Sequence, residues 1–334
     1  MPSRAPGPPV TAPDTAATPQ LAPTGATSGS PGPQGRLGAL GPVGLVLAGG
    51  ISVQFGGALA VTLMPRAGAL GVVALRLLVA AVVLLVVCRP RLRGHSRTDW
   101  GTVVVFGVTM AAMNGLFYQA VDRIPLGAAV TLEVLGPLAL SVVVSRRALN
   151  LVWAGLALVG VFLLSGGGGH GGDGGDGSGF GGGLDLVGVA FALGAGAMWA
   201  AYIVFSARTG RRFPQADGLA LAMGVGALLF LPLGLAESGT KLADPVTLGL
   251  GAAVALLSSV LPYTLELLAL RRMPASTFAI LMSLEPAVAA TAGFLILDQA
   301  LTTLQAAAIA LVVAASMGAV RTQVGRPKSA VPEA

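Results

Sequence analysis

The chain has 334 residues, of which 54% are hydrophobic and only 10% are charged, and its mean hydropathy is +0.82. Soluble proteins carry roughly 25% charged residues, so this composition excludes a chain that folds around one core in water. The formal net charge of +6 would suggest nucleic-acid binding in a soluble protein, but in a membrane protein the placement of the charges matters more. We therefore expect the lipid bilayer, and no nucleic acid, as a partner.

The segment before the first apolar stretch is rich in Pro, Ala, Thr, Gly and Ser. It lacks the charged start and the early apolar stretch of a signal peptide. Because this composition buries too little apolar surface to fold, we expect residues 1–37 to form a disordered cytoplasmic tail. Binding of a partner by this tail is the alternative interpretation.

Ten apolar stretches of roughly 18 to 23 residues follow, each long enough to cross a hydrocarbon core about 30 Å thick. The predicted spans are 43–63, 70–88, 101–121, 125–144, 149–165, 184–206, 216–236, 246–269, 274–296 and 301–320.

The basic residues support this count, because Lys and Arg concentrate in cytoplasmic loops. With the N-terminus inside, sixteen of the twenty Lys and Arg residues fall on the cytoplasmic side. Outer loops contain only Arg66, Arg123 and Lys241. We predict an all-α membrane protein with ten transmembrane helices and both termini in the cytoplasm, residues 321–334 forming the second tail.

An outer loop at 166–183, rich in glycine, separates the first five spans from the last five. Its composition predicts a flexible hydrated linker, with metal binding by His170, Asp173 and Asp176 or a phosphate cradle as weaker alternatives. No metal site is expected elsewhere, since Cys88 is the only cysteine and the two histidines, His95 and His170, fall in polar connecting segments.

The two halves, 38–165 and 184–320, are predicted to be five-helix repeats. A shift of 149 residues aligns Arg123 with Arg272, Pro125 with Pro274 and Pro137 with Pro286. Because five spans is an odd number, the second half enters the membrane from the opposite side, which gives inverted repeats suited to alternating access.

Four ionisable residues fall inside the predicted spans: Arg76, Glu133, Glu266 and Glu285. A charge at the bilayer centre costs roughly 2.5 to 3.5 kcal/mol, so such residues mark substrate or proton pathways. Glu133 and Glu285 are predicted roughly 12 to 16 Å deep, where burial disfavours the charged form and suits proton exchange. Glu266 lies closer to the cytoplasmic end, so a structural pairing is equally open for it. Arg76 is open between binding a substrate carboxylate and pairing with a glutamate.

Pro137 and Pro286 predict helix breaks beside the two deep carboxylates. A proline inside a helix removes one backbone hydrogen bond, and broken helices at corresponding positions of inverted repeats indicate a binding site. A kink used only for packing is the alternative. Ligand contacts or interhelical ties are predicted for further polar and aromatic side chains in the spans. These are Gln54, Asn114, Tyr118, Tyr263, Trp199 and Tyr202.

Several short motifs along the chain together resemble those of a known family. They are Ala74-Leu-Arg-Leu77, Met113-Asn-Gly-Leu-Phe-Tyr118, Ile124-Pro-Leu-Gly127, Leu132-Glu-Val-Leu-Gly-Pro-Leu138, Ser145-Arg-Arg147, Leu193-Gly-Ala-Gly-Ala-Met-Trp-Ala200, Leu261-Pro-Tyr-Thr-Leu-Glu-Leu267, Leu281-Met-Ser-Leu-Glu-Pro-Ala287 and Ala314-Ala-Ser-Met-Gly318. Together they resemble the threonine and homoserine exporters of the EamA group, in the drug/metabolite transporter superfamily.

The resemblance implies a multi-pass plasma-membrane exporter of small amino acids that exchanges protons and needs no cofactor. The long tail, the glycine-rich loop and Asp298, where many members have Glu, depart from the family pattern and leave the substrate open. An EamA-type exporter of another metabolite or of drugs is the alternative. The oligomeric state is also open, a homodimer included.

Two other classes of protein fit the sequence less well. An intramembrane enzyme would need a nucleophile with a base, and Ser258, Ser259 and Ser283 lie in spans that contain no His or Lys. A sensor or assembly subunit would not need paired glutamates beside prolines. No ATP-binding Walker pattern is present, so the energy for transport is expected from an ion gradient.

Overall fold

The computed structural model describes residues 33–90, 94–145, 148–166, 184–213, 217–270, 272–273 and 275–324. The chain divides into two units, Met1–Gly38 and Ala39–Ala334, and the contacts described below belong to the second unit. The predictions for most of the N-terminal tail and for residues 167–183 lie outside the described residues. Helix α1 begins at Pro33, inside the predicted tail, and proline is well suited to the first position of a helix.

Every regular element in the described ranges is helical. The α-helices are α1 Pro33–Cys88, α2 Arg97–Val121, α3 Leu126–Glu133, α4 Leu135–Ser145, α5 Ala148–Gly166, α6 Leu186–Gly210, α7 Asp217–Ser238, α8 Pro245–Ala255, α9 Leu261–Leu270, α10 Ala275–Met282, α11 Glu285–Leu297 and α12 Thr303–Val324. A 3₁₀ turn, Gly239–Ala243, precedes α8, and a π-helical turn, Leu256–Val260, joins α8 to α9.

Seven helical segments among the described residues are long and apolar enough to cross a membrane. They are Gly41–Cys88, Arg97–Val121, Leu186–Gly210, Asp217–Ala243, Pro245–Glu266, Thr277–Leu297 and Thr303–Arg321. Two shorter apolar helices cover Leu126–Leu140 and Leu151–Gly160. The predicted all-α, multi-span membrane protein is confirmed, because the seven long segments have the length and apolar composition to cross a bilayer and expose apolar side chains.

Helix α1 is interrupted at Gly68, where the backbone has φ 63° and ψ 167°. Glycine suits this conformation, because a side chain at positive φ would be strained and a Cβ here would also collide with Glu237. Two residues at the end of α7 form hydrogen bonds with the backbone on both sides of the break. The Gly71 N–H donates to Glu237 Oε2 at 3.0 Å, and the Ser238 hydroxyl donates to the Ala67 carbonyl. The break falls in the connection predicted between the first two spans.

Helices α2 and α6 pack antiparallel, with an ion pair at each end. Asp99, in the first turn of α2, accepts from Arg212 just beyond α6 at 3.0 Å. At the other end, Arg123 just beyond α2 lies 3.4 Å from Asp185, the N-cap residue of α6. Both pairs are consistent with one register of these antiparallel helices.

Candidate functional site

A cavity of about 1010 Å³ lies among α1, α2, α3, α4, α6, α9, α10, α11 and α12. It brings together side chains that are far apart in the sequence. The predicted residues that line it are Gln54, Arg76, Asn114, Tyr118, Glu133, Pro137, Trp199, Tyr202, Tyr263, Glu266 and Glu285. Of the predicted site residues, Pro286 alone is not in the lining; it is buried in the first turn of α11.

Two of the three glutamates lie at helix breaks. Glu133 is the last residue of α3, and Val134 separates it from α4. Glu285 is the first residue of α11, after a break at residues 283–284 that ends α10. Both breaks fall just before a proline, Pro137 or Pro286, because proline supplies no N–H to the turn that precedes it. Backbone groups without helical partners therefore lie beside both carboxylates.

The carbonyl that Pro137 frees is that of Glu133, and it packs against the backbone of α6. A Cβ added at Gly196 would lie 2.5 Å from this oxygen, and a Cβ at Gly136 would overlap the backbone of Gly196 itself. Glycine at both positions lets α4 and α6 approach closely, as small residues do between membrane helices. The position of Glu133 in the cavity depends on this contact.

Glu133, Glu266, Glu285 and Arg76 all line this one cavity. Among the described residues, none of the three carboxylates forms a direct ion pair with Arg76. The cavity therefore combines three acidic groups with one basic group whose charges are separated, an arrangement that can accept a small ligand bearing both charges.

Arg76 is held in place by three hydrogen bonds. Its Nε donates to Ser259 Oγ at 3.1 Å, its Nη2 donates to the Ser258 carbonyl at 3.0 Å, and its Nη1 donates to the Tyr118 hydroxyl at 3.2 Å. The guanidinium carbon also lies 5.6 Å from the centre of the Tyr118 ring, within the range of a cation–π contact.

One acceptor of Arg76, the Ser258 carbonyl, is available because of a third proline, Pro262, which lies two residues after the π-helical turn. Because Pro262 has no N–H, carbonyls in the preceding turn lose a backbone partner. Side chains replace it: Arg76 donates to the carbonyl of Ser258, and Ser52 Oγ donates to the carbonyl of Leu257 at 2.6 Å. Single π-helical turns occur often at functional sites.

Two smaller polar groups complete the lining. Asn114 Nδ2 donates to the Met110 carbonyl at 2.8 Å within α2, which leaves its side-chain oxygen for another partner. Ser316 on α12 also lines the cavity, is 5% exposed, and its Oγ has no hydrogen-bond partner among the described residues. Ser316 is not among the site residues predicted from the sequence, although it lies in the motif Ala314-Ala-Ser-Met-Gly318 that contributes to the family resemblance.

An all-helical, multi-span fold around a cavity that contains charged side chains is typical of a membrane transporter. The comparisons with known proteins agree. Residues 186–321 match the model of the EamA-like transporter family.

Relatives match over most of the chain. The sequence is 39% identical over 281 residues to the threonine/homoserine exporter RhtA of Escherichia coli (strain K12), covering 84% of this chain and 92% of that protein. It is 38% identical over 281 residues to RhtA of Salmonella typhimurium (strain LT2), with the same shares of the two chains. The uncharacterized transporter YwfM of Bacillus subtilis (strain 168) is 28% identical over 211 residues, 61% of this chain and 67% of that protein.

The fold also occurs in a protein of known crystal structure. That chain is 19% identical and superposes with a TM-score of 0.50, covering 85% of this chain and 98% of its own. The chain belongs to the EamA-like transporter family, in the group of RhtA, and it is a multi-pass exporter of the plasma membrane. The resemblance noted in the sequence is thereby confirmed, and a small-molecule substrate follows from it.

Proposed function

We propose that this exporter carries small amino acids of the threonine and homoserine type out of the cell by proton antiport and alternating access. The observation that carries the proposal is the meeting of Glu133, Glu266, Glu285 and Arg76 in one cavity. These charges are costly in a membrane protein, and a site for a charged substrate and an exchanged proton accounts for all four. The names of the RhtA relatives supply the class of amino acid.

The architecture we propose has ten spans with both termini in the cytoplasm. Seven long apolar segments and two short apolar helices are present among the described residues. The segment Gly41–Cys88 has 48 residues, more than twice the length that a bilayer needs, and Gly68 divides it in two. Counting it twice and adding the two short helices gives the ten spans that the basic loops predict.

The positions of the helix breaks support inverted repeats. The shift of 149 residues that aligns the prolines also places Val134, the break between α3 and α4, onto Ser283 in the break between α10 and α11. The backbone interruptions thus follow the offset of the aligned prolines that cause them. Broken helices related in this way are typical of transporters built from inverted repeats.

The location of the cavity supports alternating access. Its lining on α6 runs from Trp199 to Ala207 and on α12 from Ser316 to Val320, which are the C-terminal parts of both helices. In the proposed topology these ends face the cytoplasm. At the other end, buried Leu63 and Leu126 pack in the core, and the N–H of Leu126 donates to Gln299 Oε1 at 3.0 Å. We take this arrangement as the inward-facing state of the cycle.

A second candidate, export of a larger metabolite or of drugs, is favoured by the size of the cavity. Drug-sized ligands occupy pockets of roughly 300 to 1,000 Å³, and this cavity reaches the upper end of that range. Phe117, Trp199 and Phe278 contribute aromatic and apolar lining that a threonine side chain would not fill.

Export from loaded vesicles distinguishes the two candidates. Purified protein in proteoliposomes is loaded with labelled threonine or homoserine, and efflux is measured with and without an imposed pH gradient, beside protein-free vesicles. Our proposal requires efflux of the amino acid that a pH gradient accelerates. Efflux of large apolar cations without any efflux of the amino acids would support the second candidate, and no effect of the gradient would contradict proton antiport.

A further inference from the structure

We propose that Arg76 binds the carboxylate of the exported substrate, and that it thereby selects amino acids over amines of the same size. This inference rests on the proposed function, since it names the part of the substrate that one side chain recognises. It assigns Arg76 a role in specificity rather than in pairing with a glutamate.

The first argument is the number of donors that Arg76 keeps. A guanidinium has five N–H groups, and the bonds to Ser259, Ser258 and Tyr118 use three of them. The remaining two, one on each Nη nitrogen, have no partner among the described residues. Arg76 also lines the cavity, so these donors are within reach of a ligand there. Two donors on a planar group match the two oxygens of a carboxylate.

The second argument is charge. Arg76 is the only basic residue in the lining of the cavity as the structure describes it, and it has no ion pair with a carboxylate in the described part of the chain. A cation that faces a cavity without a direct counter-ion favours the binding of an anionic group there. The three glutamates in the same cavity favour the opposite end of the substrate, its ammonium group.

The third argument is rigidity. The side chain is fixed from two directions, by Tyr118 on α2 and by the π-helical turn before α9. An arginine whose only task was to neutralise Glu133 would be expected to bond that carboxylate directly. Here its bonds go to neutral acceptors that orient the guanidinium, and orienting a group in advance lowers the entropic cost of binding a ligand.

The test compares threonine with threoninol, in which a hydroxymethyl group replaces the carboxylate and the ammonium group remains. The full-length wild-type protein in proteoliposomes should export threonine about ten- to a hundredfold faster than threoninol, the factor expected for one hydrogen-bonded charged contact. In Arg76→Gln this preference should fall close to one, mainly through loss of threonine export. Arg66→Gln, a change to an arginine of the predicted outer connection, should keep the wild-type preference.

Binding gives a second measurement that needs no variant. Threonine should raise the melting temperature of the wild-type protein, and threoninol at the same concentration should not. If Arg76→Gln does not fold, Arg76→Lys keeps the charge but loses the planar fork, and its preference for threonine should be reduced but present.

Three results would overturn the inference. They are equal protection of the wild type by threonine and threoninol, equal transport of both by the wild type, and an unchanged preference in a folded Arg76→Gln protein. A wild-type protein that transports and binds neither compound, but exports other solutes, would instead contradict the proposed function and the inference together.

Discussion

Glu133 ends α3 and Glu285 begins α11, so the two carboxylates lie beside two helix breaks and on opposite sides of them. The two residues were predicted at a similar depth in the membrane, and they also differ in their position relative to the breaks. Glu133 precedes its break and Glu285 follows its break, so the two groups meet in one cavity from two different helix ends. A buried position beside unpaired backbone groups suits side chains that bind a polar ligand or a proton.

We expect Glu133→Gln and Glu285→Gln to abolish gradient-driven efflux. Glutamine keeps the size and the hydrogen-bonding capacity of glutamate, but it neither exchanges a proton nor attracts an ammonium group. The amount of protein in the membrane should persist, because loss of a central charge removes an insertion cost of roughly 2.5 to 3.5 kcal/mol. Efflux of threonine or homoserine is measured over a range of pH, with quantification of the protein in the membrane.

Glu266→Gln is the comparison variant, since Glu266 lies nearer the predicted cytoplasmic end of its span. A wild-type pH profile in both Glu133→Gln and Glu285→Gln would remove these residues from the mechanism. In that case Glu266, which lines the same cavity, would become the leading candidate for the proton carrier.

Reporter fusions should place alternate loops in the cytoplasm and at the exterior. Fusions after Arg97, Arg147, Arg212 and Arg272 should report the cytoplasm, because loops rich in Lys and Arg resist translocation. Fusions after Asp176 and Lys241 should report the exterior. A reversal at any of these six positions would show that the ten-span topology is incorrect.

Deletion of most of residues 171–182 should leave transport nearly intact. A hydrated glycine chain is expected to bear no packed contacts, and a shorter connection still joins the fifth and sixth spans. The measurement is threonine efflux from proteoliposomes with matched amounts of wild-type and shortened protein. Loss of efflux by a deletion variant that inserts normally would assign the loop a function.

Gly196→Ala should destabilise the protein by about 1 to 3 kcal/mol or more, because the new methyl group would be forced against the Glu133 carbonyl. Gly155→Ala on α5 is the matched control, since a Cβ there meets nothing within 4 Å. Its replacement should be neutral or stabilising by up to about 1 kcal/mol. Thermal unfolding in detergent measures both variants. Equal melting temperatures would mean that the Glu133 carbonyl at the end of α3 is not in close contact with α6.

The sequence predicted the helices well because lipid imposes a simple rule on span length. Most predicted spans agree with the observed helices to within a few residues, and the connection at 64–69 coincides with the interruption at Gly68. Charged residues in apolar helices are costly, so the sequence indicated these side chains as candidates, and the structure places them around one cavity. The three-dimensional neighbours of each residue did not follow from the sequence, because they depend on how distant helices pack.

The contacts of Arg76 are an example of what the sequence alone does not predict. Pro262 predicts a free carbonyl by the same reasoning that was applied to Pro137 and Pro286, so this signal was available in the sequence. What the sequence does not contain is the partner, because Arg76 and Ser258 are 182 positions apart and meet only in the folded bundle. Ser258 and Ser259 were considered only as nucleophiles, whereas the structure uses them to orient an arginine.

The ion pairs at the two ends of α2 and α6 bear on how the protein moves. Each pair is partly exposed and weak by itself, but together they resist sliding, because a shift of one residue displaces a helix by about 1.5 Å along its axis. A transport cycle that preserves both pairs must move α2 and α6 together as one rigid unit. Tyr118 on α2 and Trp199 on α6 would then move together, while the other helices that line the cavity change their position relative to them.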